Sequence, residues 1–162
     1  INDKARLATS AYYSFGTGGG SGPLGYNGGG HYYKYEPIKN SSGQYDWDAM
    51  ADFNANNIDA TYSTTLARSQ HIIRNSVNNH KWYGLLSTLT YDMSDMVTLT
   101  TGIDMRHYKG EHYREVRDLL GGDYWYDRTF GMSKVGDKIA YWNDGTVTYT
   151  GLFAQMEYSK GN

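Results

Sequence analysis

A chain of 162 residues with 20 Gly, only 2 Pro and a formal net charge of −2 fits one ordinary unit rather than a proline-rich linker or a disordered tail. The charge offers no basic stripe, so no nucleic-acid partner is expected. Without cysteine there is no disulfide framework and no thiolate metal site, and no apolar run approaches the ~18 residues of a membrane helix.

The chain opens at Ile1 directly into a strand-like pattern, with neither the basic start nor the apolar core of a signal peptide. Any export signal is therefore expected to have been removed or to lie upstream. Over residues 4–15, Ala5, Leu7, Thr9, Ala11, Tyr13 and Phe15 share one parity while Lys4, Arg6, Ser10 and Tyr12 share the other, which is the period of a strand. The run Gly16 to Pro23 is expected to be loop. It matches neither the dinucleotide fingerprint nor the P-loop, which need different glycine spacing and a following Lys-Ser/Thr.

Residues 16–79 form an expected first long connection of 64 residues. A stretch this long needs local order. Residues 45–53 are expected to start a short helix capped by Asp46 or Asp48, and residues 63–77 to supply a second, with Leu66, Ile73 and Val77 at rough helical spacing. Asp46, Asp48, Asp52, Asn54 and Asn56 do not keep the order of a calcium loop. Asn40-Ser41-Ser42 has the form of a glycosylation sequon, a triplet that arises often by chance.

The most regular part of the chain is a hairpin over residues 80–108, with strands at 80–91 and 96–108 and a turn at 92–95. Tyr83, Leu85, Leu89 and Tyr91, followed by Val97, Leu99, Ile103 and Met105, make one face with no ionised group between Tyr83 and Met105, whereas Asp104 and Arg106 lie on the other. A second long connection, 109–146, contains His112 and Glu115 without the second histidine of a zinc-protease motif. It also contains the aromatic run Tyr124-Trp125-Tyr126. The last strand, 147–158, puts Thr150, Leu152, Ala154, Met156 and Tyr158 on one face and Gln155 and Glu157 on the other.

Strands of about twelve residues reach ~40 Å, twice the usual soluble length, and tilted by ~45° they cross a membrane. The 17 Tyr and 4 Trp suit membrane interfaces. The mean hydropathy of −0.69 does not oppose this, because alternating strands average to a polar value. With the first strand running outward, Tyr13, Phe15 and Tyr83 fall at an outer rim and Tyr91 and Tyr158 at an inner one. Long, short and long connections match extracellular loops and a periplasmic turn. The expected fold is thus all-β, a segment of a transmembrane antiparallel β-barrel with about four long strands and two long extracellular loops containing short helices. Four strands cannot close, since small barrels need about eight, so the outer two would pair with further strands of a larger barrel or of other copies. A soluble β-sandwich could bury the same apolar face and stays open as an alternative.

Several phrases carry a family resemblance: Ala11-Tyr12-Tyr13 leading into Gly16–Gly22, Asn79-His80-Lys81-Trp82-Tyr83-Gly84, Thr101-Gly102-Ile103-Asp104-Met105-Arg106, Asp118-Leu119-Leu120-Gly121-Gly122-Asp123-Tyr124, and Gly151 to Tyr158. In these the chain resembles the TonB-dependent outer-membrane receptors, especially those with a carboxypeptidase-like N-terminal extension. The resemblance implies a barrel of about 22 strands with a plug domain, which imports a nutrient across the bacterial outer membrane on energy passed by TonB. Outer-membrane lipid, the rest of the barrel, the plug and TonB are the partners it implies. The plug and the TonB-contacting segment have no counterpart in these residues.

As the wall and loops of such a receptor, the chain is expected to offer Tyr45, Trp47, Tyr124, Trp125 and Tyr126 as stacking faces to a small-molecule, glycan or peptide ligand. Asp104 and Arg106 are expected to face the lumen, paired with each other or holding the plug. The alternative function is a non-transporting surface binding or adhesion β-protein with long recognition loops. No nucleophile elbow or carboxylate pair points to an enzyme, and no catalytic residue, cofactor or metal is expected.

Overall fold

The computed structural model describes residues 3–25 and 36–160. The chain is mostly β. Its elements are β1 (Ala5–Gly25), α1 (Trp47–Ala55), β2 (Arg68–Ser69), β3 (His71–Ser94), β4 (Val97–Asp118), β5 (Tyr124–Asp127), β6 (Gly131–Ser133) and β7 (Lys138–Tyr158). The long strands form an antiparallel sheet in the order β1-β3-β4-β7, which is not closed. β2, parallel to β5, and β6, antiparallel to it, make a small second sheet.

All four long strands outrun their expected limits of 4–15, 80–91, 96–108 and 147–158, so the expected loops 16–79 and 109–146 shrink at both ends. Residues 26–35 of the first loop, and the chain's opening at Ile1, lie outside the described residues. The turn at 92–95 tightens to Asp95 and Met96 between β3 and β4. The run Gly16–Pro23, expected as loop, is strand. β1 is an edge strand, where proline is tolerated because one side needs no ladder donors. One of its glycines meets a close neighbour: a Cβ on Gly19 would sit 2.7 Å from the Ser76 carbonyl oxygen, and next to it Arg74 Nη1 donates to the Gly20 carbonyl at 2.7 Å.

The helix expected at 45–53 is present as α1, with Asp46 as its cap: Asp46 Oδ1 accepts from the Ala49 amide at 3.0 Å. The second helix, expected at 63–77, is not. Residues 68–69 are β2 and β3 starts at His71. The β-branched and short polar residues of Ile72-Ile73-Arg74-Asn75-Ser76-Val77 are weak helix formers, and extending them lets Ile72 and Val77 bury their side chains.

The chain divides into two compact units. The first comprises Ile1–Gly16, Asn79–Gly110 and Asp144–Asn162, and the second Thr17–Asn78 and Glu111–Asn143. Every buried hydrophobic side chain among the described residues belongs to the second unit, where Leu24, Ile72, Val116, Trp125 and Ile139 form a cluster with Leu119 packed against it. Polar pins hold the connections around this cluster. Asn54, fully buried, donates through Nδ2 to the carbonyls of His71 (2.6 Å), Leu120 (2.8 Å) and Leu119 (3.0 Å), and its Oδ1 accepts from the amides of Gln70 (2.9 Å) and His71 (3.2 Å). The buried Asp127 carboxylate accepts from the amides of Thr129, Phe130 and Ala140, tying the β5–β6 turn to β7. Each such bond to a charged acceptor contributes roughly 1.5–3 kcal/mol.

The first unit has the opposite character. Leu152 is 82% exposed, Phe15 72% and Met156 64%. Leaving such side chains in water forgoes roughly 1.5–3 kcal/mol each relative to full burial.

Candidate functional site

In the first unit, side-chain contacts assign residues to two faces. Tyr13, Tyr83 and His107 make a chain of ring contacts, with centroids 6.3 Å apart and then 4.9 Å, and His107 Nδ1 lies 2.9 Å from Thr148 Oγ1. These residues share the face of Leu7, Leu89, Leu99 and Leu152, which follows from strict alternation along each strand. Among the described residues its acidic, basic and histidine side chains come only beyond Tyr83 and Met105, at Lys81, His107, Lys109 and Asp144, with Lys109 3.4 Å from Asp144.

The other face is charged and aromatic. Arg6 reaches Asp92 at 3.7 Å, Thr98 donates to Asp92 at 2.9 Å, and Gln155 donates to Glu157 at 2.7 Å. Asp104 and Arg106, two residues apart on β4, form a two-pronged pair: Nη2 to Oδ2 at 2.6 Å and Nε to Oδ1 at 2.9 Å. They are thus bound to one another. Around them Trp82, Tyr108, Val147 and Tyr149 complete a cleft of about 370 Å³, a size suited to a small ligand. The Arg106 guanidinium lies 5.9 Å from the centre of the Tyr149 ring. Trp82 Nε1 donates to the Tyr12 hydroxyl at 3.1 Å, and His80 Nδ1 lies 2.7 Å from the Tyr108 hydroxyl.

Glycine makes the floor of this face. A Cβ on Gly84 would fall 2.6 Å from the Tyr12 ring, one on Gly151 2.6 Å from the Tyr149 hydroxyl, and one on Gly102 would collide with the Phe153 ring. Three aromatic side chains therefore lie across glycines, close against the sheet, as no other residue at those positions would allow.

The aromatics expected in the loops are not gathered into one site. Tyr45 and Trp47 touch edge to face at 5.5 Å and are 43% and 40% exposed. Tyr126 is half-buried and stacks on Tyr62 at 3.9 Å, with the Arg68 guanidinium 4.7 Å from the Tyr62 ring centre and bonded to Asp59 at 2.6 Å. That bond, with further help from Thr61, holds the Asp59 carboxyl below its ordinary value of 3.8. Tyr124 and Trp125 correct the expectation. They are 1% and 0% exposed, because β5 turns them into the core of the second unit, and burial raises the Tyr124 hydroxyl pKa. Neither offers a stacking face.

Trp82, Tyr108, Tyr149 and Tyr12 were missed by the sequence reading. Their signal was parity: Trp82, Tyr108 and Tyr12 alternate in step with Gly84, Asp104 and Arg106, and Tyr149 with Gln155.

Comparison with protein-family models, with curated proteins and with solved structures gives no match to this chain.

Proposed function

We propose that this chain is a wall and loop segment of a TonB-dependent nutrient receptor in the bacterial outer membrane. The observation that carries the reading is the separation of the two units by burial. The buried core belongs to the second unit, while the first exposes an apolar sheet face that stays free of charge from Tyr83 to Met105. Such a face suits hydrocarbon, and the charged opposite face suits a polar lumen.

Strand length agrees with this assignment. Within the first unit β1 contributes Ala5–Gly16 and β4 Val97–Gly110, enough to span a bilayer with ~9–11 tilted residues and reach both interfaces. Tyr13, Phe15 and Tyr83 would then form the outer aromatic girdle, and Tyr91 and Tyr158 the inner. β1 and β7 each have one neighbour in the sheet, so further strands of the receptor would cover their edges. In this reading the second unit is the extracellular loop region, stiffened by its own core, and Tyr45 and Trp47 are its exposed aromatics. The family assignment itself rests on the phrases from Ala11 to Tyr158 described above. The segment performs no covalent chemistry, and its role is to build the wall and present the ligand-contacting surface.

Single cysteines at Leu85, Leu89, Leu99 and Leu152 on one face, and at Thr88 and Thr100 on the other, test the reading. They are introduced into the full-length protein in lipid vesicles and carry nitroxide labels. The first four are expected to be relaxed mainly by oxygen dissolved in lipid, the last two by a water-soluble nickel complex. Equal relaxation by the nickel complex on both faces removes the membrane assignment.

A further inference from the structure

We propose that the turn between β6 and β7 is a membrane-docking element: Val135 at the turn and Phe130, Met132 and Trp142 around the adjoining cleft enter an anionic lipid surface, and Lys138 receives a lipid phosphate. This contact belongs to the second unit and goes beyond the barrel-wall reading, which concerns the strands of the first.

The first observation is an exposed apolar cluster. Phe130, Met132 and Trp142 line one cleft of about 390 Å³ with Lys138, and together with Val135 they remain about half exposed. Single exposed apolar side chains are ordinary on a protein surface, but four around one turn form a patch. The turn is also fixed in place. The Gly136 amide donates to the Val116 carbonyl at 2.8 Å, the Val116 amide donates to the Asp137 carbonyl at 3.0 Å, and Gly136 takes a φ of 91° that favours glycine. These bonds tie residues 136–137 to β4, so Val135 is held at the surface instead of folding onto the core.

The second is the charge around the patch. Arg128, Lys134 and Lys138 flank it in sequence, and the two carboxylates among them are drawn into backbone bonds. Asp127 is buried on the amides of Thr129, Phe130 and Ala140, and Asp137 Oδ2 accepts from the Lys134 amide at 2.7 Å. The Lys138 ammonium lies 3.1 Å from the centre of the Trp142 ring and 4.7 Å from that of Tyr113, and it has no ion-pair partner among the described residues. Two rings position the cation at the wall of the cleft and leave N–H groups for an oxyanion.

Aromatic and aliphatic side chains set among lysine and arginine match the boundary between lipid headgroups and acyl chains, where the rings and aliphatic groups leave water while the cations stay at the phosphates. A folded protein partner fits less well. A stable protein contact takes roughly 800 Å² on each side, and four half-exposed side chains around one turn fall short of that, whereas a lipid layer gains from each inserted side chain separately.

The test uses the full-length protein in vesicles of phosphatidylcholine alone or mixed with phosphatidylglycerol, with a nitroxide on a single cysteine at Val135 or Met132. In the mixed vesicles both labels are expected to be relaxed mainly by oxygen. In phosphatidylcholine alone, and at a control label on the exposed Ser42 in either lipid, the nickel complex should dominate. Lys134→Gln and Lys138→Gln should each lower the docked-to-undocked ratio about fivefold, and added salt should act in the same direction. Amide protection at Trp125 and Ile72 checks that the second unit stays folded. Val135→Asp, read from the label at Met132, leaves the core untouched and should abolish docking. Nickel-dominated relaxation at Val135 in both lipids, or docking that ignores both lysine substitutions, overturns the proposal. The labels at Leu85 to Leu152 and at Thr88 and Thr100 separate the two readings. Alternating access there with no response at Val135 removes the docking element and leaves the membrane wall standing, and the reverse result keeps the docking element and removes the wall.

Discussion

At Asn54 one amide joins three stretches of chain far apart in sequence. Its carbonyl and amide groups satisfy the backbone at 70–71 and at 119–120 from a position on α1. Asn54→Ala leaves several of these buried groups without partners, at roughly 1–3 kcal/mol for each one that water cannot reach. The expected result is a collapse of hydrogen-exchange protection at Gln70 and His71, and unchanged protection would show that other contacts carry the junction. His71 adds a pH dependence. Burial lowers its pKa from the ordinary 6.5, so the closed second unit holds the ring neutral. Below pH 6.5 the opened state takes up a proton that the closed state refuses. Stability is therefore full above 6.5 and falls as pH drops through the lowered folded value. Exchange-derived opening free energies between pH 7.5 and 5 should follow that course in the native protein, and His71→Asn should flatten the part due to this group. An equally steep decline in the variant would assign it elsewhere, first to the carboxylates.

At the level of elements, the glycine-rich end of β1 is the part whose structure departs most from its composition. Composition favours loop because isolated glycine loses the most entropy on ordering. Here the cost is offset by pairing with β3, and the close approach of the two backbones excludes any side chain at Gly19. Gly19→Val should push β1 away from Ser76, lowering amide protection on both sides of the contact and costing about 1–3 kcal/mol locally. Gly20→Ala, with nothing within 4 Å of its added Cβ, is the matched control and should be nearly silent. Equal protection in both variants would mean that the contact tolerates a side chain. The helix expected at 63–77 failed for a related reason: its spacing of Leu66, Ile73 and Val77 was compatible with a helix, but a β partner and a core for Ile72 were available to the extended chain.

For the molecule as a whole, the contrast between the units predicts its behaviour in solvent. A sheet that leaves Leu152, Phe15 and Met156 mostly exposed has no means of its own to remove them from water. The 162-residue chain, expressed by itself, should require detergent or lipid to remain monodisperse, and without it should aggregate through the apolar face and the open edges of β1 and β7. A monodisperse, cooperatively melting β protein in plain buffer would instead favour the soluble binding-protein alternative. The second unit should retain amide protection around Trp125 and Ile72 in either condition, since its core is internal.

Much of this was legible in the residues. Alternation identified all four long strands and which residues share a face, because side-chain direction in a strand depends only on parity. It also separated Asp104 and Arg106 from Leu99 and Ile103, and the Asp46 cap marked the start of α1 within the expected span. Strand ends, the fate of the glycine run and the roles of the loop aromatics were not legible, since each depends on partners distant in sequence. Tyr124-Trp125-Tyr126 reads as three equivalent rings, and only the packing of β5 against Ile72, Val116 and Ile139 makes Trp125 core while Tyr126 stacks on Tyr62. The charged face likewise became a cleft only through tertiary structure. Sequence placed Trp82, Asp104 and Tyr149 on strands of known parity, but lateral pairing of β3, β4 and β7 brought them together.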